Sequence, residues 1–548
     1  MSFFQTFLPR RQFFQKTFSF LCALAGVQAS PCKAAPRPAT AATLSVNILD
    51  ETGKPTPARV YLRDSSGHAY FAPQTIQYNK TRDGMSEQHF VPPDGTFSIN
   101  LPVGSYSLEV ERGKEYLPTE ESIQIPISGP VQKTIRLRRW VWMASRNWYS
   151  ADMHVHAALR DVGPLMEGED LNVALPLTIW RVNRGSPRRD PDFDAFLAKA
   201  DEHGAVRVGR NRWFTALNEE LETSSSALLI SNLNKRTLPL EYPMARTAER
   251  AKRRGALIDS EKATALELPA IAALGLCNFV GLANNHLWRS GCHVTPWGAW
   301  PDDMLRRYPQ TCVGFALAGF EMYYAMLNVG IPLKLSAGSA YGVHPVPMGW
   351  SRVYVHVHER FNTENWFKAL HKGSSFVTTG PMMFLTVNGL EPGDESTTGQ
   401  FPLGIDVDLR MLSSRPLGDA QIVVNGSVHP ITLRREPSSP YAYRGKLHLT
   451  LKTSCWVAAR YLGTDGKRFQ MAHSSPIYFY DGTSPIPVNR PDAEFLLGRV
   501  QKLIQEVETG KSETGNGPTT IVIDKGTLRQ ETLEYLRRAL DVYRSKVK

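Results

Sequence analysis

The hydrophobic period of this chain changes twice, and those two changes confine it to a multidomain fold. From Leu44 to about Leu137, apolar and polar residues alternate in short runs such as Leu44-Ser-Val-Asn-Ile-Leu49, Thr96-Phe-Ser-Ile-Asn-Leu101 and Tyr106-Ser-Leu-Glu-Val-Glu111, with Gly and Pro between them. A period of two with frequent turns predicts antiparallel strands buried on one face, here a β-sandwich over 44–139. After Trp140 the pattern shifts to helical periods separated by short, wholly apolar runs. Helices are expected from Pro191 to Gly204, from Pro243 to Arg254, and around 269–274 and 319–328, with strands at Ala256–Ile258 and Phe279–Ala283. Such strands read as parallel and covered by helices, and over 140–382 a barrel or distorted barrel is the economical closure. Beyond Pro381 alternation returns in Phe384–Val387, Ile405–Leu409, Gln421–Val424 and Trp456–Tyr461, with Asn425-Gly426 as a hairpin turn. This predicts a second β-sandwich over 383–484, followed by a helical tail over 485–548.

Length and composition agree with folded, multidomain material. The 548 residues exceed one ordinary core, and 42% hydrophobic with 21% charged residues excludes a mostly disordered chain. Residues 1–35 read as an export signal. Arg10-Arg11 precede an apolar run from Phe18 to Val27, and small residues follow at Ala29, Ser30, Ala34 and Ala35. Arg10-Arg11-Gln-Phe-Phe14 also resembles a twin-arginine signal; an ordinary secretory signal with two adjacent arginines stands beside it. Residues 36–43 form a Pro/Ala/Thr-rich linker. Periplasmic or extracellular localisation follows, with no transmembrane span expected in the mature chain. The formal charge of +11 includes Arg10, Arg11, Lys16 and Lys33, so the chain beyond residue 35 carries +7. Export permits a disulfide, and Cys292 with Cys312 is the first pair to test. The basic run Arg250-Ala-Lys-Arg-Arg254 reads as a solvated helix face. No aromatic residue is interleaved there, so nucleic acid is not an expected partner.

The chemistry concentrates in Trp148-Tyr-Ser-Ala-Asp152-Met-His154-Val-His156. On a strand, residues 152, 154 and 156 face one way, so the two imidazoles sit one pleat apart and are placed to share a cation. Asp152 is close enough to serve as the outer hydrogen-bond partner that fixes an imidazole. His-x-His alone is weak: His356-Val-His358, in a plain strand, shows how readily it arises by chance. Polar clusters at other strand ends corroborate it: Asn218-Glu219-Glu220, Asp259-Ser-Glu261-Lys262 and Asn284-Asn285-His286. Barrel enzymes assemble their sites from such C-terminal strand ends. Trp288, Trp297 and Trp300 lie in a long loop beside His286 and are expected to wall a pocket for a ring or a sugar.

Asp152-Met-His154-Val-His156 at the head of this segment resembles the first motif of the polymerase-and-histidinol-phosphatase (PHP) metallohydrolases. Further pieces narrow the likeness to the CehA/McbA-like branch: Glu169-Asp170-Leu-Asn-Val, Leu257-Ile-Asp259-Ser-Glu261-Lys262, Leu268–Gly275, Leu282-Ala-Asn-Asn-His286, Ser336-Ala-Gly-Ser-Ala340-Tyr-Gly342, Arg352-Val-Tyr-Val-His and Gly373–Pro381. Pro102-Val-Gly-Ser-Tyr-Ser-Leu-Glu-Val resembles the closing hairpin of carboxypeptidase regulatory-like domains, which also precede the barrel in that group. The resemblance covers about residues 140–390. It implies a distorted (β/α)7 barrel hydrolysing ester, carbamate/amide or phosphoester bonds of a small-molecule or saccharide substrate, with a water activated by the cation as nucleophile. Carried onto this chain, His154, His156, Glu220 (less so Glu219) and His286 would ligate metal, and Asp259 or Lys262 would polarise the substrate or assist. Where the family has Gly-Ser-Asp-x-His, this chain has Gly338-Ser-Ala-Tyr-Gly342. Neither Asn172–Trp180 nor Ser224–Ala227 supplies the expected histidine. One zinc, manganese or iron ion is therefore expected rather than three. The alternative is a degenerate, non-catalytic envelope protein binding carbohydrate or protein through its sandwiches.

Overall fold

The computed structural model describes residues 41–182, 185–223, 226–294, 307–398, 400–510 and 526–548. The export signal, the linker up to residue 40, Trp297 and Trp300 lie outside the described residues. The chain is multidomain and rich in β-structure, with few helices.

The N-terminal sandwich starts at Ala41, so three residues assigned to the linker are strand. Ala41 pairs with Pro102 at the head of the antiparallel ladder between Ala41–Leu49 and Thr96–Pro102, while Val131–Arg136 runs parallel on the other side of Ala41–Leu49. The facing sheet has five strands in the order Ile76–Arg82, Met85–Val91, Arg59–Asp64, Gly104–Glu111, Thr119–Ile125. Leu44, Val46 and Ile48 point into a core shared with Val60, Leu62, Phe90, Leu108 and Val110, as the period of two requires.

The central strands form two open sheets rather than a closed ring. In the first, Ala205–Gly209, Arg212–Thr215, Val173–Pro176 and Trp148–Val155 lead on to Arg352–His356 and Ser375–Thr378. In the second, Ile179–Val182, Glu219–Glu222, Ala227–Ser231, Leu257–Ser260, Phe279–Ala283 and Lys334–Ala337 lie side by side. The chain folds back from Glu219–Glu222 into Ala227–Ser231 as an antiparallel hairpin, where a parallel ring would need a helical crossover. Three of the expected helices are present with adjusted ends, at Met244–Arg253, Leu268–Ala273 and Cys312–Asn328. The first expected helix is shorter, Phe193–Lys199, because Asp190 Oδ1 takes the Asp192 amide at 2.8 Å and holds the chain in a turn before the helix. The Ala256–Ile258 run is strand at Leu257–Ser260.

The first sheet does not stop at the boundary drawn near residue 382. Ser375–Thr378 pairs with Phe469–Ser474, and the ladder continues through Cys455–Thr464, Ala420–Val424 and Ser427–Ile431. A four-stranded sheet (Met382–Val387, Leu403–Leu412, Ala442–Leu451, Arg434–Arg435) covers that half over a core that includes Leu385, Ile405, Val407, Ile422, Val457 and Ala472. The C-terminal sandwich thus shares a sheet with the central region. The tail helices, Arg490–Thr509 and Thr527–Val547, contribute Leu496, Val500, Leu536 and Tyr543 to the central core. No helix among the described residues is long and apolar enough to cross a membrane.

Candidate metal centre

Strand Trp148–Val155 is buried along its whole length and ends on the His-x-His pair. Alternation puts both imidazoles on one face, with ring centroids 5.0 Å apart and Nε2 atoms 3.0 Å apart. Strand Glu219–Glu222 from the other sheet supplies the third group. His156 Nε2 lies 3.3 Å from Glu220 Oε2, and His154 Nε2 lies 3.7 Å from Oε1. One nitrogen from each histidine and a Glu220 oxygen lie within 4.8 Å of one another and could hold a metal ion. Strand alternation also separates the two acidic candidates: Glu219 turns away, its Oε1 accepting the Leu238 amide at 2.9 Å.

Asp152 does not reach an imidazole. Its Oδ1 accepts the amides of His154 (3.1 Å) and Ser339 (3.0 Å), and Oδ2 accepts the Gly349 amide (2.7 Å) and the Ser339 hydroxyl. The carboxylate nearest His154 Nδ1 is instead Glu261, at 3.6 Å, delivered from the end of Leu257–Ser260 and held by the Lys262 ammonium and the Asn285 amide. Glu222, two residues beyond Glu220, accepts from the Trp180 indole at 2.9 Å, and the Trp180 ring lies 4.6 Å from that of His156.

Three carboxylates (Glu220, Glu222, Glu261) thus lie close enough to repel one another in a buried setting, with Lys262 paired to Glu261. Burial first, then repulsion from Glu222 and Glu261, pushes Glu220 well above the usual carboxylate range, and burial with the Glu261 charge pushes Glu222 up to about 7. Burial holds both histidines well below their usual range, with the Lys262 charge adding to the effect at His154 and the His154 charge at His156. Neutral imidazoles beside crowded carboxylates suit a divalent cation, and Glu220 Oε2, though buried, meets no hydrogen-bond donor among the described residues. The donor set fits zinc, manganese or iron.

His286 is not in this group. Its ring stands 4.7 Å from His293 and 6.0 Å from His344, with the Phe315 ring stacked at 5.4 Å. The Lys262 charge depresses His286 and His344 as well as His154. Asp259 reaches past Phe279–Ala283 to the second strand over, Lys334–Ala337, accepting from the Ser336 hydroxyl at 2.7 Å, and burial pushes it up to about 8. Trp288, expected to wall a pocket, is buried. It stacks on His293 at 5.2 Å, packs with Val346 and Trp350, and donates to the Asn285 carbonyl at 2.6 Å.

Several participants escaped the sequence reading. The hairpin formed by Ile76–Arg82 and Met85–Val91 of the N-terminal sandwich leans onto this region: Asp83 Oδ2 meets His293 Nδ1 at 2.6 Å, and Arg82 Nη1 is 3.4 Å from His344 Nδ1. Tyr78 stacks on Tyr341 at 4.2 Å, takes the Gly342 amide at 3.0 Å and donates to the His344 carbonyl. The segment Gly338–Gly342 acts as a backbone strap along the His-x-His strand. Ala340 donates to the His154 carbonyl at 2.7 Å, and His156 donates to the Tyr341 carbonyl at 2.7 Å. A Cβ at Gly338 would sit 2.3 Å from that of His154, so only glycine allows the approach. Tyr78→Phe should strand the Gly342 amide and cost about 1–3 kcal/mol in denaturant unfolding.

No family model and no curated protein sequence matches the chain. Among solved structures, a streptococcal ancillary pilin is 14% identical, covering 21% of this chain and 36% of its own, with a TM-score of 0.14. A β-glucuronidase of Parabacteroides merdae is 9% identical over 78% of this chain and 61% of its own, with a TM-score of 0.16. At those scores neither likeness bears on fold or chemistry.

Proposed function

We propose that the chain is an exported metal-dependent hydrolase of the CehA/McbA-like PHP type, cleaving an ester, carbamate/amide or phosphoester bond with one divalent ion, zinc before manganese or iron. The observation that carries this reading is the convergence of His154, His156 and Glu220, from two different sheets, beside a Glu261–Lys262 pair. A cation there would supply an activated water and polarise the scissile group. Glu261 would orient His154, and Lys262, whose charge reaches both histidine clusters, would steady the developing oxyanion. His293, braced by Asp83, would be placed to carry a proton.

The distorted (β/α)7 barrel belongs to this proposal. Support comes from the parallel bridge between Val155 and Tyr341, which ties the first sheet to the segment following the last strand of the second, and from site residues at the C-terminal ends of Trp148–Val155, Leu257–Ser260 and Phe279–Ala283.

The test is turnover of a panel of nitrophenyl carboxylate, carbamate and phosphate esters by chelator-stripped and zinc-reconstituted chain. Hydrolysis should appear only with metal and vanish in His156→Ala. A chain that takes up zinc at this site but turns over no ester of any class would favour the non-catalytic reading.

Proton competition sets the pH dependence. Burial and neighbouring carboxylates push Glu222 up to about 7 and raise Glu220 as well, so at acid pH the metal-free fold keeps protons that a cation must displace. The unfolded carboxylates, near 4.5, have released theirs, so the metal-free fold loses this contribution as pH rises through about 4.5 to 7. Zinc reverses the loss. At one fixed zinc concentration the zinc-induced rise in Tm should therefore be larger at pH 8 than at pH 6, where proton competition weakens binding; a concentration a hundredfold over the pH 8 Kd corresponds to about 2.7 kcal/mol of stabilisation there.

A further inference from the structure

We propose a second transition-metal site, independent of the first, formed by His356, His358 and Glu391. His356 closes strand Arg352–His356, and its ring lies flat on Trp148 at 4.7 Å with planes 9° apart, which fixes its orientation. His358, two residues on, brings its ring centroid to 4.0 Å from that of His356. Glu391 comes from the turn between Met382–Val387 and Glu395–Thr398, far from both in sequence. Its Oε2 lies 2.7 Å from His356 Nδ1 and 3.6 Å from His358 Nε2, and the three donor atoms fall within 4.8 Å of one another.

Donors on one tetrahedral ion with bonds of about 2.0–2.2 Å stand roughly 3.3–3.5 Å apart, so each histidine's separation from Glu391 is within an ångström of what an ion requires. The turn is already set: the Glu391 amide donates to Asp394 Oδ2 at 2.9 Å, and the Asp394 amide returns to the Glu391 carbonyl at 3.0 Å. Asp394 is itself held by Lys372, at 2.5 Å, at the end of helix Thr363–Lys372. Two imidazoles and one carboxylate suit zinc, nickel or copper(II). His358 is 57% exposed on its side chain, so an ion can enter from solvent and water can complete its shell. The ion would clamp the end of a central strand to a turn of the C-terminal sandwich.

The experiment is equilibrium dialysis of the chelator-stripped full chain against zinc, with elemental analysis, for wild type, His358→Ala, Glu391→Gln and His154→Ala/His358→Ala against His154→Ala. Each surface substitution should remove one equivalent of zinc from its parent, whether or not the His154 site is intact. Copper(II) resonance spectra should change from two coordinated imidazoles to one in His358→Ala. Unchanged stoichiometry between His358→Ala and its parent, in either background, overturns the site. Loss of an equivalent in His154→Ala reports on the buried centre alone, so the two sites fail separately.

Discussion

His154→Ala is expected to lower zinc affinity by more than the 10–100-fold that typically follows loss of a ligand's hydrogen-bond partner. It removes one of three donors and leaves His156 and Glu220, 3.3 Å apart, as the only pair. Hydrolysis should fall with it. His154 is buried and its ring faces Glu220 on one side and Glu261 on the other, so the variant also leaves crowded carboxylates without a neighbour to shield them. Glu261→Gln separates the two contributions. It keeps the three donors and should cost affinity only in the 10–100-fold range of an orienting partner. Metal content by elemental analysis, with far-ultraviolet dichroism as the check on folding, distinguishes the variants.

Asp152→Ala is expected to have the largest effect on stability. One buried carboxylate accepts three backbone amides and a hydroxyl from three stretches of chain: the His-x-His strand, the Gly338–Gly342 strap and the turn at Gly349. Each buried donor left without an acceptor costs about 1–3 kcal/mol, so the loss should be of order 4 kcal/mol in denaturant unfolding. Asp152→Asn should recover part of that, since an amide oxygen still accepts while its NH2 opposes one of the donors. Metal affinity should fall in Asp152→Ala as well, because the strap fixes the backbone of both histidines. An unfolding midpoint equal to wild type would show that the strap is held without this carboxylate.

What was legible in the sequence depended on period and spacing. The N-terminal sandwich follows from alternation at Leu44, Val46 and Ile48, and the pairing of His154 with His156 follows from side chains alternating along a strand, whereas Glu220 ahead of Glu219 rests on the family resemblance. The short apolar strands were legible as strands but not in their partners. Nothing in Ala227–Ser231 announces that it returns antiparallel to Glu219–Glu222, or in Ser375–Thr378 that it pairs with Phe469–Ser474. Long-range contacts were likewise hidden. Asp83 and Tyr78 reach the site across more than 200 residues, and His344, flanked by Pro345 and Pro347, reads from its neighbours as a structural turn although its ring joins His286 and His293. Asp152 was placed beside an imidazole because sequence proximity does not distinguish a ring nitrogen from a backbone amide.

A metal-dependent activity of this chain requires that His154, His156 and Glu220 hold one cation. Anomalous diffraction at the zinc absorption edge, from crystals of the zinc-loaded full chain, tests this directly. The expected result is a peak about 2.0–2.2 Å from a nitrogen of each histidine and from a Glu220 oxygen. Density at His356 and Glu391 alone, with the buried trio empty at saturating zinc, would contradict it.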